Sequence, residues 1–415
     1  MLTNYFKVAI KVLLRRKFYT FVSLFGIAFT LLILNLVVAL MDHTLAPMQP
    51  ESELSRILTI EDAMKFGDSS SSSSAAGFKL LDQYARNLPG VEVFAVTTQA
   101  DAVAAYVDGE KVQPLMRRTD AALWEILDHE FVEGAPYTSD DVDNGSFYAV
   151  INETTRKRFF GDRTAVGESI RLNDQTFTVI GVVKDVPIVR TLAFSEVWVP
   201  LTTAKSTSYR NELLGNMVGV LLAGSRADFP GIREELASRL SRAQMPDPET
   251  YHTLEAGAFT RYEHIAREFF GKHDPTSPAG TGRMTLTLGI LALLFMALPA
   301  LNLINLNLSR ILERASEIGV RKAFGASSIT LVGQFLVESV ILTLLGSLFG
   351  LALSATALAL IGNADLIPYA HLSLNVKIFV YGIGLALVFA FVSGAYPAWR
   401  MSRLHPVEAL HGRSA

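Results

Sequence analysis

The residue constellations that carry enzymatic chemistry are missing from this 415-residue sequence. It contains no GxxxxGK[ST] loop, so the backbone cradle and lysine that hold nucleotide phosphates are not encoded within it. HExxH, GxSxG and paired metal-ligand spacings are absent as well. With no cysteine, thiolate zinc sites, cysteine nucleophiles, a disulfide framework and a lipoprotein anchor are excluded together. The eight histidines are scattered, and His264 and His273 have no ligand spacing, so they read as surface histidines. The carboxylates of the long middle region read as a solvated acidic surface. The expectation is therefore no catalytic residue, no metal site and no cofactor bound by this chain.

The segment that carries the most information is 309–328. Glu313, Glu317 and Arg321 are successive i,i+4 neighbours, which places charge on one side of a helix. Ile311, Ala315, Ile318 and Lys322 follow another face, and Gly325 closes the helix before Ser327 and Ser328 start the next one. A short amphipathic helix of this kind can seat in the groove of a partner, or can be an ordinary charged loop helix.

That segment lies between apolar elements that must position it. Half of the sequence is hydrophobic and its formal charge is only −3, a composition that points to membrane segments. Four stretches exceed or approach the roughly 20 residues that span a hydrocarbon core: 18–41, 284–308, 329–361 and 376–396. The third is longer than a span requires, so it tilts or projects. Lys7, Lys11, Arg15, Arg16 and Lys17 precede the first; Arg310, Arg314, Arg321 and Lys322 separate the second and third; Arg400, Arg403 and Arg413 follow the fourth. By the positive-inside rule these three segments are cytoplasmic. The region 43–283 holds 34 acidic against 24 basic residues, a net of −10, and belongs on the other side. The first span is too long for a signal-peptide core and lacks a small-residue cleavage site.

The expected fold is an integral membrane α-helical protein of four transmembrane helices, with a large extracytoplasmic α+β (mixed α/β) domain of two subdomains. Residues 1–17 form an amphipathic elbow helix, with Phe6, Ile10, Leu13 and Leu14 on one face and Lys7, Lys11 and Arg15 on another. The extracytoplasmic domain occupies 42–283, the cytoplasmic helix 309–328, a short outer loop 362–375 and a cytoplasmic tail 397–415. Within the outer domain, 56–60, 91–98, 147–151, 177–183 and 217–222 read as strands, and 78–87, 152–160 and 230–242 as helices. Asn173-Asp174 reads as a hairpin turn and the serine run Ser69 to Ser74 as a mobile loop. Gly346 and Gly350 form a small-xxx-small pair that permits close helix approach, either within one chain or across a dimer. Asn35, Asn302, Asn305 and Asn307 are candidates for bonds between helices. Glu338, about two turns into the third span, reads as a structural or snorkelling acid.

The run Arg314-Ala-Ser-Glu317-Ile318-Gly319-Val320-Arg321-Lys322-Ala323-Phe324-Gly325-Ala326 resembles the signature of the MacB/FtsX family of ABC transporter permeases. It is followed by Gln334-Phe-Leu-Val-Glu338-Ser339. A second likeness is Gly394-Ala-Tyr-Pro397-Ala398 through Pro406-Val-Glu-Ala409-Leu410. Leu88-Pro-Gly-Val91, Ala149-Val-Ile-Asn152, Phe159-Phe-Gly161, Val166-Gly167 and Val179 through Asp185 resemble the MacB periplasmic core, so the likeness covers essentially the whole chain.

The resemblance implies a permease that pairs with a second copy or a paralogous permease and docks on an ABC ATPase, here a separate dimeric chain that uses ATP and Mg. On that basis Glu313, Arg314, Glu317, Ile318, Gly319, Arg321, Lys322, Ala323, Phe324, Gly325 and Ala326 form the ATPase-coupling interface. ATP-driven closure of the ATPase would pull on the helices and rearrange the outer domain. The implied location is a bacterial inner membrane, with both termini cytoplasmic and the large domain outside; nucleic acid is not an expected partner. Export or extracytoplasmic transfer of a hydrophobic or amphipathic substrate is the leading implied function, with a periplasmic adaptor and an outer-membrane channel as further partners. An FtsX-like transducer that activates an outer hydrolase and a lipoprotein-releasing permease are the alternatives.

Overall fold

The computed structural model describes residues 15, 17–271, 276–313, 328–363, 376, 379–384, 386–388 and 391. The chain divides into two compact units, one of helices (Met1–Asp42, Leu286–Leu366 and His371–Ala415) and one centred on His43–Thr285.

Among the described residues, three long helices belong to the first unit in whole or part: α1 (Lys17–Leu45), α8 (Thr281–Glu313) and α9 (Ser328–Asn363). Two stretches within them are long and apolar enough to cross a membrane, Thr20–Leu45 and Leu336–Gly362. The expected second span lies in the single 33-residue helix α8. Only isolated residues of the expected fourth are described. The elbow helix, apart from Arg15 and Lys17, and the tail lie outside the described residues.

Gly346 and Gly350 lie where α9 meets α1. A Cβ on Gly346 would sit 2.9 Å from Ile27, and one on Gly350 would sit 3.1 Å from the Ala28 carbonyl oxygen. Both glycines therefore serve close approach within one chain. Asn35 donates to its own helix, at the Leu31 carbonyl 2.8 Å away, and not to a neighbour as expected. An apolar surrounding offers it no nearer acceptor than the carbonyl four residues back.

The second unit is built on sixteen strands. The first half comprises β1 (Ile57–Ile60), β2 (Asp62–Phe66), β3 (Ser71–Ala76), β4 (Val91–Thr98), β5 (Asp101–Ala102), β6 (Ala105–Val107), β7 (Glu110–Val112) and β8 (Leu115–Thr119). The second comprises β9 (Phe131–Gly134), β10 (Tyr148–Asn152), β11 (Ser169–Leu172), β12 (Gln175–Val183), β13 (Val197–Pro200), β14 (Leu214–Gly215), β15 (Met217–Ala223) and β16 (Thr253–Ala256). Fourteen join one sheet, whose main path runs β11-β12-β10-β13-β8-β4-β15-β3-β2-β16, while β6 and β7 pair separately. Most neighbours are antiparallel; β10 with β12 and β8 with β13 are parallel. Six helices pack on this frame: α2 (Phe78–Leu80, widening to a π turn over Leu81–Ala85), α3 (Leu123–Ile126), α4 (Ser139–Asp143), α5 (Glu153–Phe160), α6 (Phe229–Leu240) and α7 (Arg261–Phe270).

One continuous sheet runs through the region. Its cores are nonetheless separate: Leu58, Leu221, Ile232 and Leu236 anchor one, and Ile151, Phe177, Val182 and Val199 another. Each fully buried aliphatic contributes roughly 1.5–3 kcal/mol relative to exposure. Local chemistry fixes several boundaries. The Asn152 side chain caps α5 by accepting from the Thr155 amide at 2.9 Å. Asn173 (φ 44°) and Asp174 (φ 63°) form the tight β11–β12 turn that favours left-handed residues. In α2, Leu80, Leu81 and Ala85 all reach the core, and the helix widens to a π turn over Leu81–Ala85.

The serine run is not a loop. Ser71 to Ser74 are strand β3, paired antiparallel with β2 so that Ser73 faces Met64 and Ser72 faces Lys65. Its neighbours determine the strand, since β propensity depends on context more than on the residue itself. Hydrogen–deuterium exchange over 71–76 should be slowed as in a paired strand, relative to the 67–70 turn. Exchange as fast as in the turn would remove this assignment.

Candidate functional site

The polar groups with most to say about function sit inside the second unit, where the chain leaving α1 meets the sheet. Arg190 donates from Nη1 to Glu51 Oε2 at 2.8 Å and from Nη2 to the Ala46 carbonyl at 3.0 Å. The second Glu51 oxygen accepts from the Ala193 amide at 3.2 Å. Both side chains are almost fully buried, at 1% and 3% exposure. Burial pushes the Glu51 carboxyl up, with Arg190 and the Ala193 amide pulling the other way. Arg190 is presented by the turn 187–194, in which the Arg190 amide donates to Pro187 and the Phe194 amide donates to Arg190.

A second pair of bonds holds the same segment from another side. Gln49 donates to Asp128 Oδ2 at 3.1 Å, and the Asp128 amide donates to the Pro50 carbonyl at 2.8 Å. Residues 46–51 are thus fastened at four points to two separate turns, so they act as a rigid strap and not as a free linker.

Beside this strap lies Arg117 of β8, also buried. Its Nη2 donates to the carbonyls of Thr191 (2.7 Å) and Phe194 (3.3 Å), while its Nε is buried without a partner. Burial lowers its pKa to about 10 against the upward pull of Glu61, Glu51 and Asp101. Trp124 of α3 forms an aromatic cluster with His129, Phe131, Tyr137 and Trp198, in which His129 lies 5.4 Å from Trp124 and 5.2 Å from Trp198 between ring centroids. Burial, helped by Arg117, lowers His129 to about 3, so it is neutral and structural. Asp120, whose Oδ2 accepts from the Val96 amide at 2.8 Å, is raised by burial to about 6.

On the other side of β1, a cleft of about 470 Å³ is lined by β2, β3 and α7, including Glu61, Asp62, Ser73, Arg261, His264 and Glu268. His264 Nε2 lies 2.9 Å from Thr59 Oγ1, and its side chain is only 9% exposed. No group of His, Asp and Glu among the described residues is placed to hold a metal.

These observations correct two sequence-based expectations. His129 and His264 are not surface histidines, and Glu51 and Asp120 do not belong to a solvated acidic surface. Sequence reasoning passed over Glu51, Arg117 and Arg190 because no local motif marks them; Glu51 and Arg190 meet across 139 residues. The signal available was Arg117 directly after the apolar pair Leu115-Met116. Of the expected coupling residues, Glu313 ends α8, and Arg314 to Ala326 lie outside the described residues.

Replacing one partner of the buried pair, as in Arg190→Met or Glu51→Gln, should cost about 3–5 kcal/mol because a charge or its hydrogen bonds are left uncompensated. The double variant should cost less than the two singles together, and additivity in denaturant titrations would contradict the pair. For Asp120 the folded pKa is raised, so its contribution is full below about pH 4 and is lost as pH rises through about 6. Asp120→Asn should therefore compare more favourably with the native protein at pH 7 than at pH 4, by about 3 kcal/mol. A pH-independent difference in unfolding free energy would refute this.

Comparison with known proteins places this architecture. Residues 20–238 match the MacB-like periplasmic core domain and residues 289–406 the FtsX-like permease C-terminal domain. The ABC transporter permease YknZ of Bacillus subtilis is 24% identical over 351 residues, covering 82% of this chain and 81% of that protein. The macrolide export ATP-binding/permease protein MacB of Shewanella oneidensis is 28% identical over 345 residues, and that of Burkholderia cenocepacia is 30% identical over 292. They match 78% and 68% of this chain, which spans only 47% and 38% of their own lengths. Among solved structures, the extracellular domain of YknZ aligns with 48% of this chain and 98% of its own, at 17% identity and a TM-score of 0.36. The periplasmic region of MacB from Actinobacillus actinomycetemcomitans aligns with 44% of this chain and 84% of its own, at 18% identity and a TM-score of 0.35. The chain belongs to the family of ABC transporter permeases that join a MacB-like periplasmic core domain to an FtsX-like permease domain.

Proposed function

We propose that this chain is the permease subunit of an ABC transporter, with four membrane spans, whose ATPase is a separate polypeptide that supplies the ATP and Mg chemistry. It works with a second permease copy or a paralogue and converts ATPase closure into movement of its periplasmic domain. The substrate is hydrophobic or amphipathic and is handled outside the membrane. The observation that carries the permease reading is the pair of family matches, which run from 20 to 238 and from 289 to 406.

The strap at 46–51 supports the mechanical part. A flexible linker after α1 would absorb a displacement of that helix, whereas a segment fixed by a buried ion pair and four further polar contacts passes it to the sheet. On the cytoplasmic side, Glu313 to Ala326 meet the ATPase, with Glu317 and Arg321 on one helical side. The match over 20–238 supports export over the FtsX-like transducer reading, and a lipoprotein-releasing permease, which shares this topology, stays as the alternative.

The test is co-purification and coupled ATP hydrolysis in mild detergent. Glu317→Ala with Arg321→Ala should leave insertion and folding intact and reduce ATPase co-purification at least tenfold. Full retention of the ATPase and of its stimulation would refute the coupling role.

A further inference from the structure

A pocket of about 270 Å³ lies between the turn 187–194 and the sheet, with Leu115, Leu192, Phe194 and Val218 among its apolar walls and Arg117 and Glu61 as its charged residues. That volume is room for about nine waters in liquid-volume terms. Half of its ten lining residues are aliphatic and Phe194 adds an aromatic wall, while Gln99 and Thr191 are polar and Arg117 is its only cation.

The state of that guanidinium is the second observation. Arg117 is 3% exposed and forms no ion pair within 4 Å among the described residues. Its Nη2 is held by the Thr191 and Phe194 carbonyls, and its Nε is buried with no acceptor. Its neighbour Arg190 has a carboxylate at 2.8 Å, so the turn had the means to neutralise one arginine and did so for Arg190 alone. A buried charge with no carboxylate in direct contact is costly, and a pocket with apolar walls and one such group is the usual form of a small-ligand site.

We infer that this pocket binds the carboxylate end of a monoanionic, apolar small molecule, with Arg117 as its counter-ion and the aliphatic walls around its hydrocarbon part. Glu61, whose Oε1 accepts from Thr59 Oγ1 at 3.0 Å, stands as the opposing charge and selects against a second anionic group. Thr191 and Phe194 line the pocket and also hold Arg117, and both lie on the turn that carries Arg190. Occupancy would therefore be felt at the strap. The site stands apart from the ATPase-coupling reading, and either can fail alone.

The probe is 4-(4-fluorophenyl)butyrate, compared with its neutral primary amide by fluorine NMR on the full chain in phosphatidylcholine nanodiscs, with empty nanodiscs as the blank. The native protein should bind the carboxylate at least tenfold more tightly than the amide. Arg117→Gln should abolish that preference, with a thermal midpoint recorded to show the chain folded. Ile188→Trp alters a pocket residue that is 37% exposed, touches none of the buried polar contacts, and should weaken both probes at least fivefold. Equal affinity for the two probes, a preference that survives Arg117→Gln, or unchanged binding in Ile188→Trp would each overturn the proposal.

Discussion

The ion pair between Glu51 and Arg190 is the contact on which the organisation of the large domain depends. It is buried, so water cannot screen it, and it closes a separation of 139 residues. Its net contribution to stability is small, because desolvation consumes much of the attraction. What it supplies is position: the guanidinium fixes the Ala46 carbonyl as well as the carboxylate, and the carboxylate in turn fixes the Ala193 amide. Residues 46–51 and the turn 187–194 are thereby held together within the second unit.

The other buried groups gain their meaning from that arrangement. Arg117 braces the same turn from the sheet side through the Thr191 and Phe194 carbonyls. Asp128 braces 49–50 from the end of the α3 segment, next to the aromatic cluster around neutral His129. The turn 187–194 is thus held from two sides, by Glu51 of 46–51 and by Arg117 of the sheet.

Local chemistry made some of this legible in the sequence. Val91–Thr98 is a strand at the expected residues, Asn173-Asp174 turns as their tolerance of positive φ requires, and Asn152 caps its helix. Each of these features is decided by residues within a few positions of one another. Ser71–Ala76 was not legible, because its six small residues show no apolar face and are made a strand by β2 alongside. Glu51, Arg117 and Arg190 were hidden for a related reason: their roles arise from burial and distant pairing. The motif at Arg314 to Ala326 pointed to the family, which the matches over 20–238 and 289–406 establish.

The central claim is that displacement of the membrane helices reaches the periplasmic domain through the strap. Pulsed dipolar spectroscopy on the permease–ATPase complex tests it, with spin labels at exposed Asp162 in the large domain and exposed Leu360 in α9. The account predicts a nucleotide-dependent distance change that is lost in folded Arg190→Met protein while ATP hydrolysis continues. A change of the same size in Arg190→Met would contradict it.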